Sequence, residues 1–469
     1  MAQAPSVALP KRLPLVILPQ NRSADTDKDA KLVNCYMEIQ ETPSGKDYWI
    51  YKRPGLLNQS RPPAANAAGS GVYNWRGNIY SVFGDKLYKD GVAVAGTVDT
   101  TGGVYKFDSC LGATPKLQLG NGVKAYNYDT AGGLVQITDV DFPTAFVKGW
   151  AYLNGTSYVM KANANIQGDE INDPPAWNPL NVIVAQIEPD QGVALAKQLV
   201  YVIAIKQWST EVFYDAGNAV GSPLGQVQGA KANYGGVTAD SLQDIDGTLF
   251  WVCSSRTSGI QVAMLDNLKL DIISTEPIER ILQTANWTTT YSWQLAMNGH
   301  RWYVVTSVGS NFTLAYDLDQ RMWSQWKDVD GNYLPIVDST YDTSYRAILQ
   351  HASNGRLYYA SSEYFNDDGS VITVDIITPN FDADVQSRGK QLQQMLFVGD
   401  QTNGSELLVR YSDNDYQTWS NPRKVDLGKK RPYLDDCGTF ERRAHWFQHK
   451  SNTRLRIKAV ELQLDLCTL

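Results

Sequence analysis

Close pairs of carboxylates are the most frequent chemistry-bearing pattern in this chain: Asp139/Asp141, Asp317/Asp319, Asp328/Asp330, Asp367/Asp368 and Asp435/Asp436. Glycosidic hydrolysis needs two carboxyl groups held several ångströms apart across a sugar, and that separation is a tertiary property. Most of these pairs stand beside turn residues such as Gly331 and Gly369, where an aspartate satisfies the N–H groups of its own loop. Turn-making is therefore their expected role. Asp328-Val-Asp330-Gly331 opens like a calcium loop, but no further ligand or closing glutamate follows at the required spacing. His445 and His449 in HWFQH are four apart, which on a helix could hold a metal. Their neighbours Trp446 and Phe447 argue for a strand, and no glutamate accompanies them as in H-E-x-x-H. Gly221, Gly225 and Gly229 recur without a following Gly-Lys-Ser/Thr, and no G-x-S-x-G elbow occurs. Cys35, Cys110, Cys253, Cys437 and Cys467 are odd in number and far apart, so buried free thiols are expected. No catalytic, cofactor-binding or metal-ligating residue is assigned, and no enzyme is expected.

The elements that carry these residues are short. Hairpins recur around residues 71–91, 117–126, 150–159, 200–214, 249–262, 301–326 and 345–359, each with a strand rich in Val, Ile, Tyr or Trp, then turn chemistry, then a second aromatic strand. Their spacing of roughly 35–55 residues brackets the period of propeller blades. The fold class expected is all-β: a β-propeller of six or seven blades with an additional β-sandwich-like platform module. Two stacked sandwiches are the alternative. The segment from Gln391 has longer strands, and its last alternates cleanly, with Leu455, Ile457 and Ala459 on one face and Arg456 and Lys458 on the other. The domain division expected is 1–61, packing on the platform; 62–375, the propeller; and 376–469, the platform. The one helical pattern is Thr275 to Thr284, with Ile278, Ile281 and Leu282 on one face and Thr275 placed to cap it.

Composition supports binding over catalysis. The chain of 469 residues is 43% hydrophobic and only 19% charged, with 13 Trp, 26 Tyr and 12 Phe. Tyr and Trp suit pleated, half-buried surfaces and are enriched at interfaces. The net charge of −7 argues against tight nucleic-acid binding, which draws on basic side chains. From Asn421 onward, 11 Lys and Arg stand against six acids, leaving the rest at −12. Arg442, Arg443, Arg454, Arg456 and Lys458 are accordingly the candidate partner interface. The apolar run Leu13 to Leu18 is broken by Pro14 and closed by Pro19, so it does not read as a secretion signal, and no stretch has the length of a membrane span. Folding in a cytoplasm-like setting is expected.

Ser412–Trp419, SDNDYQTW, resembles the Asp-box S-x-D-x-G-x-T-W of sialidases and other propellers, with Asn414 in place of the aspartate and Tyr416 in place of the glycine. Its expected role is a rigid turn with Trp419 packed beneath. In order along the chain come NRSADTDKDAKLVNCYMEIQETPSG, KRPGL (Lys52–Leu56), GVYNWRGNIYSVFGDKLYKDG, DPPAWNPLN (Asp173–Asn181) and STEVFYDAGN (Ser209–Asn218). IER (Ile278–Arg280), NGHRWYVVTSVGSNFTLAYDLDQRMWSQW and SDNDYQTW follow, before a basic closing module. This series resembles the packaged-DNA stabilisation proteins, or tail hub and nozzle proteins, of short-tailed phages. The resemblance implies a virion protein of the tail, assembled in the host cytoplasm as a homo-hexameric ring below the portal-adaptor complex. It also implies contact with tailspikes or fibres and a tail needle, and double-stranded DNA passing through the lumen without specific binding. It brings no cofactor and no catalytic residue. The competing readings are a carbohydrate-binding or sialidase-like propeller, which lacks further Asp-boxes here, and a WD or kelch scaffold, whose signatures do not recur.

Overall fold

The computed structural model describes residues 11–15, 30–43, 45–59, 66–112, 114–385 and 388–467. Parts of the opening segment expected to pack on the platform, residues 1–10, 16–29, 44 and 60–61, lie outside the described residues.

Seven antiparallel blades are arranged around one axis, spanning 69–93, 106–136, 151–184, 192–226, 235–272, 290–325 and 336–361. The sequence pattern explains why each blade is a sheet buried on both sides. In the strand His300–Ser307, Trp302 and Val304 face one apolar cluster while Tyr303 and Val305 face another. In Tyr201–Lys206, Val202 and Ala204 are likewise divided from Ile203 and Ile205. Near-continuous apolar runs are what a strand pressed between two neighbouring sheets requires. Tight turns join the strands: Asn154 and Gly155 have φ of 49° and 97°, a conformation that asparagine and glycine adopt at least cost. The short helix Glu276–Gln283 lies between the fifth and sixth blades and buries Ile278, Ile281 and Leu282. Thr275 stands at its N-cap, but its side chain makes no capping hydrogen bond.

The ring is closed by a strand from the opposite end of the chain. Gly55–Asn58 pairs antiparallel with Leu357–Ser361 and forms the fourth strand of the seventh blade, so this part of the opening segment belongs to the propeller. Gly55 passes so close to the backbone of Tyr364 and Asn366 that a Cβ there would lie 2.4–2.5 Å from their carbonyl oxygens.

The platform is a sandwich. One sheet extends the sixth blade: Lys31–Val33 pairs parallel with its outer strand Met322–Gln325, and Val374–Ile377, Ala444–His449, Glu406–Ser412 and Arg423–Asp426 follow. The other contains Cys35–Thr42, Gly45–Lys52, Arg456–Leu466, Lys390–Gly399 and Tyr433–Asp435. Leu32, Ile376, Val409 and Phe447 from the first sheet meet Ile50, Met395, Phe397 and Val460 from the second in one core. Arg53 fastens platform to propeller. It is 1% exposed, forks onto Asp367 at 3.0 and 2.5 Å, and donates to Asn34 Oδ1 and the Lys327 carbonyl.

Candidate partner surface and axial channel

The five basic residues of the candidate interface have different fates. Arg443 is a correction: it is 1% exposed and its charge is spent inside the platform. Its guanidinium forks onto Asp413 at 2.7 and 2.8 Å and donates to the carbonyls of Cys437 and Thr439. It also lies 3.9 Å from the Tyr411 ring centroid. A bridge pairing Arg443 with Phe381 precedes the strand here and accompanies this inward turn. Arg456 and Lys458 face the neighbouring hairpin: Arg456 covers Trp49 at 4.2 Å, and Lys458 pairs with Asp47 at 2.6 Å. Arg442 is exposed and paired with Asp415 at 2.5 Å. Arg454 is exposed and borders a cleft of about 420 Å³ between platform and propeller, together with Glu38, Glu363 and His300. Of the five, only Arg442 and Arg454 are thus exposed. In the same cleft, burial alone would depress the His300 imidazole. The Asp317 carboxylate at 2.6 Å outweighs that and holds the group above its usual range.

The Asp-box remnant makes a turn by substitution. Asn414 Oδ1 accepts the Thr418 N–H at 3.0 Å, the duty an aspartate would have. Tyr416, in the glycine position, adopts φ of 66° and donates its hydroxyl to the Thr378 carbonyl. Trp419 is half-buried against Tyr416 and Trp446, with ring centroids at 6.0 and 5.5 Å. Three of the five carboxylate pairs serve loops: Asp139 Oδ1 accepts the Asp141 N–H, Asp317 Oδ1 that of Asp319, and Asp328 Oδ1 those of Asp330 and Asn332, whereas Asp367 receives Arg53 and Asp435 accepts from the Gln394 amide. His445 and His449 lie on one strand, both buried, and among the described residues no cluster of three or more His, Cys, Asp or Glu could hold a metal. The five cysteines are free.

Inner strands of six blades and residues 148–150, which lead into the third, meet at the axis around a cavity of about 460 Å³. That volume is on the scale of a small-molecule site. It cannot pass a duplex whose major groove alone is about 12 Å wide. Amines also span it. Lys106 from the second blade donates to the Leu242 carbonyl of the fifth at 3.0 Å, and Lys148, on the segment leading into the third, pairs with Asp240 at 2.7 Å. Aspartates staple blade to blade: Asp108 accepts the Tyr152 N–H at 3.0 Å, and Asp338 accepts the Val72 N–H at 2.9 Å, joining the last blade to the first. Burial pushes the Asp338 carboxyl up to about 6, against the pull of Lys106, and depresses the Lys106 amine.

Sequence reasoning missed this axial set and the buried trio Lys206, Asp190 and Glu211, whose ion pairs of 2.8 and 2.6 Å sit at 0–2% side-chain exposure. A signal existed in both cases. Asp338 and Lys206 are single charges inside or closing apolar strands, IVDSTY and YVIAIK, where an unpaired charge would be costly.

A closed propeller built in this order is also what comparison finds. Residues 17–360 match the family described as Bacteriophage P22 Gp10, beta-propeller. The chain belongs to that family. It is a phage stabilisation β-propeller protein. No curated protein matches the chain. Among solved structures, a streptogramin B lyase is 12% identical, with TM-score 0.40, over 65% of this chain and 96% of its own. Virginiamycin B lyase from Staphylococcus aureus is 9% identical, with TM-score 0.42, over 67% and 99%. The N-terminal domain of Nup159 is 9% identical, with TM-score 0.38, over 71% and 99%. Among the described residues no helix is long and apolar enough to cross a membrane.

Proposed function

We propose that this chain is a structural, non-catalytic virion protein of a short phage tail. It forms a ring below the portal-adaptor complex that retains packaged DNA, anchors tailspikes or fibres and conducts DNA at ejection. The observation that carries this reading is the family match, which spans the blades and the strand that closes them. The narrow axis of the propeller supports a lumen formed between copies of the chain and not within one. The net charge of −7 supports a wall that does not hold phosphates, since each lysine or arginine contact to DNA adds affinity through counterion release. The test is electron microscopy and native mass measurement of the chain mixed with purified portal and adaptor. A six-fold ring on the adaptor is expected. A chain that stays monomeric and never joins the complex would sink the reading.

A further inference from the structure

The 13 tryptophans are not equivalent. Trp75, Trp150, Trp177, Trp251, Trp293, Trp302, Trp323 and Trp326 are buried. Of the other five, Trp49 is covered by Arg456, Trp446 by Arg410, and Trp419 packs on Trp446. The remaining two, Trp208 and Trp287, are half-buried, and among the described residues neither meets another ring or cation or uses its indole N–H in a hydrogen bond. Both open into the same groove, of about 530 Å³, between loops of the fourth, fifth and sixth blades.

The groove is built, not incidental. Trp208 sits on a turn whose backbone N–H is held by Asp190 at 2.7 Å, and Asp190 is itself anchored on buried Lys206. The facing loop is braced by the Ser255 hydroxyl, which accepts the Ser258 N–H at 2.9 Å. Gly235 lets the two blades close up, since a Cβ there would lie 2.1 Å from the Lys206 carbonyl oxygen. The lining is also selective in chemistry. None of the 13 residues around the groove carries a charge, in a chain that is 19% charged. Gln191 and Gln207 are exposed there, each with an amide that both donates and accepts.

We propose that this groove binds a neutral saccharide. A pyranose ring offers an apolar C–H face, which suits an open indole, and a rim of hydroxyls that donate and accept as amides do. An unbroken run of prolines offers acceptors alone and leaves half of each glutamine unmatched. With no carboxylate in the lining, the groove binds sugar without cleaving it.

The test is a bacterial glycan microarray probed with the full chain, followed by titration of the best neutral oligosaccharide. Trp208→Ala and Trp287→Ala should each weaken binding at least tenfold, Gln207→Ala by a few-fold, and Trp208→Phe by less than Trp208→Ala. Tyr345→Ala, on an exposed residue outside the groove, should leave binding unchanged. Raising salt should have little effect. Circular dichroism melts of each variant confirm that the fold is intact. No glycan dependent on Trp208 and Trp287, binding confined to charged glycans, or displacement of the sugar by a polyproline peptide would each overturn the proposal.

Discussion

A buried guanidinium such as Arg53 contributes through completeness of its bonding. Four groups accept from it, so removing the side chain strands the Asp367 carboxylate and the carbonyls around it. Breaking one partner of such a pair typically costs about 3–5 kcal/mol. Arg53→Ala should lose that much in urea denaturation, and Arg53→Lys should recover little, because an ammonium cannot reproduce the planar fork. His445 and His449 make a second prediction. Burial, aided by Arg443 in one case and Lys52 in the other, lowers each imidazole to about 3. The unfolded chain takes up these protons near pH 6.5, whereas the folded chain resists until about pH 3. Stability present above pH 6.5 is therefore lost as pH falls through that window, by about 1.4 kcal/mol per pH unit for each histidine. Denaturation of His445→Leu between pH 6.5 and 4 should show a slope shallower by that amount. His300 acts in the opposite sense: its raised value contributes stability below pH 6.5 that is lost as pH rises through its folded value.

Between elements, the junction of first and last blades determines whether the ring stays shut. Besides the strand Gly55–Asn58, buried Gln350 bridges it, accepting the Gly71 N–H at 2.7 Å and donating to the Val82 carbonyl at 2.8 Å. Gln350→Leu leaves both backbone groups buried without partners, at about 1–3 kcal/mol each. A drop of that order in stability, with faster hydrogen exchange across 69–83 and 336–351, is the expected result. Unchanged exchange there would show that Gln350 is dispensable and that Gly55–Asn58 and the Asp338–Val72 bond hold the junction without it. The Asp-box remnant gives the corresponding test in the platform. Trp419 is half-buried, so Trp419→Ala should cost about 2–3 kcal/mol, below the figure for a fully buried indole. A variant of unchanged stability that no longer joins its partners would make Trp419 a contact residue instead.

For the whole molecule, function follows from how a closed disc is mounted on a sandwich. The propeller axis is spanned by Lys106 and Lys148, so one chain is not a conduit, and the proposed lumen belongs to the assembly. Charge is divided, with +5 from residue 421 onward and −12 before it. Complementary charges across an interface mainly set association rate and specificity, and salt screens them. Assembly on the adaptor should therefore weaken between 50 and 300 mM salt, and Arg454→Glu should weaken it further at low salt. Sedimentation velocity reads both. Indifference to salt and to Arg454 would remove the basic platform from the interface.

Local chemistry in the sequence was enough for the all-β class, the positions of the hairpins, the turn role of Asp139, Asp317 and Asp328, and the free cysteines, but not for Asp367, which receives Arg53. Period-two alternation, positive-φ residues and Asp-to-backbone bonding all act within a few residues, so they are written where they operate. Partners far apart in the chain leave no such trace. Arg53 and Asp367 are 314 residues apart. Closing so long a loop costs entropy that grows only logarithmically with length, so no local pattern is needed to announce it. That is why the tertiary structure alone assigned Gly55–Asn58 to the last blade. It also set the number of blades and turned Arg443 inward onto Asp413 while Arg442 stayed in solvent. Trp208 and Trp287 were two aromatics among many until the packing of neighbouring blades left both indoles facing one groove, because a side chain's exposure is decided by what folds against it.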